Sequence, residues 1–136
     1  VVIAIIGVLS AVVLASLNTA RSKGNDAAVK ADLSTIRTQS ELFFSNTGNS
    51  YGTAVTDNSC AATAGTLFAE STIANAISAA NTVNGTGTIT CNSSATAYAV
   101  QAQLLTDTAK YWCVDSLGTA IEVSAAMIAN ATACAS

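Results

Sequence analysis

The chain has no histidine and no proline, and only 10% of its 136 residues carry charge. Without histidine it lacks the commonest general base and the usual nitrogen ligand of zinc. No G-x-S-x-G elbow, P-loop or Gly-rich dinucleotide fingerprint occurs. The acids Asp57, Glu70, Asp107, Asp115 and Glu122 are scattered, match no EF-hand loop, and read as solvated turn or surface groups. We therefore expect no catalysis, no metal and no cofactor. Lys and Arg number 5 against 8 Asp and Glu, a net charge of −3 with no basic cluster for nucleic acid. No Phe, Tyr or Trp precedes Phe43, so aromatic stacking along the N-terminal stretch is excluded. Without proline, nothing in the chain forces a helix to stop by removing a donor.

What the sequence does contain is an apolar run, VVIAIIGVLSAVVLASLN, residues 1 to 18. No charge appears before Arg21, and Gly7 is its weakest helical point, since glycine costs up to about 1 kcal/mol in a helix. Arg21, Lys23, Asp26, Lys30, Asp32, Arg37 and Glu41 then arrive at short intervals. Val29, Leu33, Ile36, Ser40 and Phe43 keep steps of three and four among them, which is one apolar stripe on a polar helix. The pattern predicts a single helix from about Val1 to Asn46, about 70 Å long at 1.5 Å per residue. Residues 1–20 form an apolar segment for a membrane or a filament core, and residues 21–46 form an amphipathic half packed on a head. Residues 47–136 are that head, too small to be secure without staples.

In the head, Gly48 is placed to cap the long helix, and residues 47–65 read as a turn-rich linker. A short second helix is expected over 67–81, capped by Thr66 or Ser71, with Ile73, Ile77 and Ala80 inward. Three strands follow. Tyr98, Val100, Ala102 and Leu104 alternate with Ala97, Ala99, Gln101 and Gln103 as a half-buried strand. Lys110–Val114 makes the second strand, and Ala120–Ser124 the third with Ile121 and Val123 inward. Asp115-Ser116-Leu117-Gly118 joins these two, with glycine where a positive φ is needed. The expected class is α+β, a small antiparallel meander packed on Val29, Leu33, Ile36 and Phe43.

The cysteines, Cys60, Cys91, Cys113 and Cys134, form no C-x-x-C pair and all lie in the head. Two disulfides in an oxidising compartment follow. Of the three connectivities we expect Cys60–Cys91, tying the linker to the start of the sheet, and Cys113–Cys134, pinning the C-terminal tail to the middle strand. The sequons at Asn84, Asn92 and Asn130 read as chance matches in a Ser/Thr/Asn-rich chain. Arg21 and Lys23 would by the positive-inside rule hold their side in the cytoplasm, whereas the disulfides place the head outside. The cysteines decide, because only one flank of the run is in view. The run reaches about 26 Å against a hydrocarbon core of about 30 Å, and with no initiator Met we expect apolar residues upstream of Val1.

A long helix, apolar then amphipathic, carrying a small cysteine-bearing meander resembles a type IV pilin. Residues 1–18 are similar to the run that follows the processing site of pilins and pseudopilins. Tyr111-Trp112-Cys113-Val114-Asp115-Ser116, with Gly118 and Cys134, resembles pilin heads that have short disulfide-bounded C-terminal loops. The family's early Glu and its helix-kinking Pro have no counterpart here. The resemblance implies a structural subunit, the major pilin of a filament that serves adhesion and motility. The filament would be a homopolymer at the cell surface, drawn from a pool in the inner membrane by assembly machinery. The core would be built by Val1, Val2, Ile3, Ile5, Ile6, Val8, Leu9, Val12, Val13, Leu14 and Leu17. The alternatives are a pseudopilin of a type II secretion or DNA-uptake machine, and an exported binding module on a lone membrane anchor.

Overall fold

The computed structural model describes residues 1–135. Helix α1 spans Val2–Asn46 without a break, about 68 Å at 1.5 Å per residue. It stops because backbone and side chain compete for the same carbonyls. Thr47 donates its N–H and its hydroxyl to the Phe43 carbonyl, at 3.0 and 2.6 Å. Gly48 turns left-handed at φ 73°, and the Asn49 N–H reaches back 2.9 Å to the Phe44 carbonyl, the six-to-one bond of a Schellman ending.

The second helical region is shifted from expectation. Leu67–Ala69 form a single 3-10 turn, and helix α2 then runs Ser71–Asn84. Glu70 separates the two with an extended backbone, and its carboxylate caps α2 by accepting from the Ile73 N–H at 2.9 Å. Neither Thr66 nor Ser71 is the cap. The Ser71 hydroxyl instead donates to Glu70.

The sheet has four antiparallel strands rather than three, β1 Ile89–Ser93, β2 Tyr98–Gln103, β3 Tyr111–Asp115 and β4 Ala120–Val123, in that spatial order. Strand β1 escapes pattern reading because its inward apolar residues are only Ile89 and Cys91, and its buried Asn92 and Ser93 break the polar-out rule. Directly opposed residues share a face, so the register sorts the side chains. Cys91, Val100, Val114 and Ala120 lie on one face, as do Ala102 and Trp112. That face joins Val29, Leu33, Ile36, Leu67, Phe68, Ile73 and Ile77 in the core.

The opposite face carries Gln101, Cys113 and Ile121, with Tyr111 and Val123 in the next row. The expectation that Ile121 and Val123 point into the core is therefore overturned. So is the half-buried reading of β2, since Ala99 and Gln101 are buried as fully as Tyr98 and Val100. The reason is tertiary: residues 125–135 fold back over this outer face. The stripe on α1 also meets more of α2 than of the sheet, which it touches chiefly at β3. Phe43 packs at the core's edge, half-buried. Beside it Phe44 stacks on Tyr51 at 4.6 Å between ring centroids, and Tyr51 meets Tyr98 edge-on at 5.0 Å.

Candidate functional site

Residues 1–21 are exposed along their whole length, and the head comes near them only where Leu105 and Thr106 approach Asn18 and Thr19. Every side chain named above for assembly, from Val1 through Leu17, is exposed, Val8 at 66% and Leu14 at 63%. Helix α1 is long and apolar enough to cross a membrane, and none of its apolar window is buried against the chain itself. Burying a Val, Leu or Ile side chain is worth about 1.5–3 kcal/mol. Left in water, this helix would forfeit on the order of 20 kcal/mol. It requires lipid or other helices around it. Gly7 has no atom of another element within contact distance of where a side chain would stand, so nothing inside the chain braces that weak point.

What aims this helix is its seat in the head. Asp26 is buried, and its carboxylate accepts the Leu105 N–H at 2.7 Å, the Thr106 N–H at 3.0 Å and the Thr106 hydroxyl. The loop between β2 and β3 is thereby tied to the point where α1 leaves the head. The apolar stripe legible in the sequence starts at Val29 and leaves Asp26 among the polar positions. The signal was present, because positions 26, 29, 33, 36 and 40 continue the steps of three and four, and both Asp26 and Ser40 are buried polar members of the stripe. Ser40 satisfies itself by donating to the Ile36 carbonyl at 2.7 Å. Asp26→Ala would leave two backbone donors unpaired at a cost of about 2–4 kcal/mol. We expect thermal denaturation of the full chain in micelles to show a lower melting point, with Asp26→Asn losing less.

The cysteines are joined as Cys60–Cys91 and Cys113–Cys134, with Cα separations of 5.0 and 5.8 Å. The tail is also held by polar side chains. Gln101 donates to the Ala125 carbonyl at 3.0 Å and accepts the Met127 N–H at 2.6 Å. Asn58 and Asn92 donate to the carbonyls of Met127 and Ile128 at 3.3 and 3.1 Å. Asp115, expected to be solvated, is 1% exposed. It accepts the N–H groups of Leu117 and Thr119, each at 3.0 Å, and of Cys134 at 2.8 Å. One carboxylate thus closes the hairpin loop, where Gly118 has φ 84°, and anchors the tail. Of the sequons, Asn84 and Asn92 are wholly buried and closed to modification in the folded chain, and Asn130 is exposed.

Titration is governed by burial and capping. Slight burial works to raise the Glu70 carboxyl, but hydrogen bonds from the Ile73 and Thr72 N–H groups and the neighbouring hydroxyls outweigh it and leave it below the usual range. Burial raises the Asp32 carboxyl. Burial, then the hydrogen bond and charge of Glu41, pushes Tyr51 well above the ordinary tyrosine value. Burial likewise raises Tyr98, with the charges of Glu41 and Asp115 adding to it against Ser40 and Arg37. A raised folded value means that the neutral phenol is favoured by folding. Its contribution is whole below the unfolded value near 10 and is lost as pH rises past it. We expect head stability to fall above about pH 10, with tyrosinate absorbance from these two rings appearing together with unfolding. A double Tyr51→Phe, Tyr98→Phe variant should show a shallower decline, and an unchanged slope would contradict the assignment.

Among the described residues, no His, Cys, Asp or Glu side chains gather as a metal site. No family model, no curated protein and no solved structure matches this chain.

Proposed function

We propose that the chain is the major structural subunit of a type IV pilus, polymerising through residues 1–17 into a helical filament. The observation that carries this reading is the division of α1. Its second half completes the head's core, while its first half is an unbroken apolar rod that the head does not need. A rod hydrophobic on all sides is at home in lipid or among copies of itself. Moving between the two exchanges one apolar neighbour for another, so assembly is close to balanced and an external motor can drive it in either direction. The stapled heads tile the outside, where two disulfides and a sparsely charged surface suit an extracellular fibre. Before assembly the same rod holds the subunit in the inner membrane.

Electron microscopy of particles sheared from cells that express the chain tests this. The expected image is a long fibre with the apolar helices at its axis. Short structures confined to the envelope would mean a pseudopilin of a secretion or DNA-uptake machine. Monomers in the membrane, with no polymer, would mean an anchored module and would end the filament reading.

A further inference from the structure

The head gathers Lys23, Lys30 and Lys110 at its foot, where α1 leaves it. They line a groove of about 310 Å³ between α1 and the loop after β2, together with Asp26, Asp107 and Glu122. Two more open depressions adjoin it toward the apolar run. One is lined by Asn18, Thr19 and Ser22 with Leu105 and Thr106, the other by Ala15, Ser16, Thr19 and Ala20 with Lys23. Shared walls at Thr19, Lys23 and Thr106 make the three one track, small and uncharged below, charged with both signs above. Lys23 stands about 4.5 Å along the helix axis beyond Ala20, inside the roughly 5–8 Å that a headgroup layer adds to each side of the hydrocarbon.

We propose that this track seats a phosphoethanolamine lipid while the subunit is in the membrane, its phosphate between Lys23 and Lys110 and its amine against Asp107 and Glu122. The proposal rests on the membrane-embedded state of residues 1–20, not on the filament. The signs of the lining select the headgroup. Asp26 is already engaged by Leu105 and Thr106, so it offers little to a ligand. Asp107 gives one oxygen to the Ala109 N–H at 3.0 Å and keeps the other, and Glu122 is exposed. A primary ammonium donates to such carboxylates, whereas the methylated ammonium of choline has no N–H to give. The terminal glycerol of an anionic glycerol headgroup is neutral, so it offers both acids hydroxyls but no positive charge. Lys30 is held higher, its ammonium 4.5 Å from the centroid of the Trp112 ring, and forms the upper wall. The small side chains of Ala15, Ser16 and Thr19 leave room for the start of an acyl chain.

The test uses the full chain in nanodiscs of equal phosphatidylethanolamine, phosphatidylcholine and phosphatidylglycerol, with retained lipid counted by native mass spectrometry. The expected result is a preference of about tenfold for phosphatidylethanolamine over each of the others. Lys23→Gln with Lys110→Gln should abolish retention. Asp107→Asn with Glu122→Gln, the former keeping the turn acceptor, should shift the preference to phosphatidylglycerol. Equal retention of the three lipids by the parent chain overturns the proposal, as does unchanged retention by the lysine variant. Excess inorganic phosphate should not displace the lipid, and displacement would make the occupant a free anion. A chain that does not enter the discs overturns the membrane reading itself, whereas entry without preference overturns only this site.

Discussion

Val8→Asp is expected to abolish filaments while leaving the head folded, and Leu14→Lys to reduce them to a small remnant with the head equally intact. Both side chains are exposed in the subunit and touch nothing in the head. Neither substitution therefore has a folded partner to disturb. In a bundle of apolar helices each places a charge among side chains with nothing to pair it. Burying an unpaired charge costs several kcal/mol after relaxation, and the cost recurs in every subunit. It also falls on the membrane pool, where an Asp or Lys at mid-helix costs about 2.5–3.5 kcal/mol on insertion. Leu14 lies about 9 Å from Ala20 along the axis, close enough for a long lysine to reach the interface. That is why its effect is the smaller. Val8→Ala and Leu14→Ala, which remove volume without adding charge, should keep fibres at reduced number. Fibre counts by microscopy, paired with circular dichroism of the head, provide the measurement. Normal fibres from Val8→Asp would end the reading of residues 1–17 as a filament core.

The second large effect is expected from the Cys113→Ser, Cys134→Ser double variant. Its bridge spans a sequence separation of 21, and the Cys60–Cys91 bridge one of 31. In the chain-entropy account these are worth about 3.3 and 3.7 kcal/mol, large beside the few kcal/mol a core of this size supplies. Loss of the first bridge should lower the melting point of the full chain in micelles by about 15 °C. From sequence, residues 125–136 should then come loose, because Met127 and Ile128 offer little apolar area. The structure changes the expected manner of failure. Gln101, Asn58, Asn92 and the Thr56 carbonyl hold residues 125–130 by hydrogen bonds away from the disulfide, so the tail should fray from Cys134 inward and stop near Asn130. Limited proteolysis followed by mass analysis reads the boundary directly. Adding Gln101→Ala should move the cut to residue 125. Subunits that escape degradation should still polymerise, since neither cysteine lies on the apolar rod. An unchanged melting point would mean that the bridge is idle. Lost fibres with an intact, stable head would mean that the disulfide loop is itself an assembly contact.

Sequence by itself determined the elements whose physics is local and periodic. Helix α1 could be bounded to within a residue because no proline interrupts it, its stripe repeats at helical spacing, and Gly48 supplies a left-handed ending that other residues resist. The β3–β4 hairpin was legible for the same kind of reason, with Gly118 at the positive φ the loop requires. What only the tertiary structure decided is where polar groups go when they are buried. Asp26, Gln101, Asn92 and Asp115 look like solvent-facing residues, because in isolation a charge or an amide belongs in water. Each is buried only because a loop or tail distant in the chain brings backbone N–H or carbonyl groups to satisfy it. The two-sided burial of β2 follows from the return of residues 125–135 over the sheet. The outward turn of Ile121 and Val123 follows from their register with β3, and the missed strand β1 from its few apolar residues and its buried Asn92 and Ser93. A period-two pattern records one buried face, and a sheet covered on both faces leaves none to read.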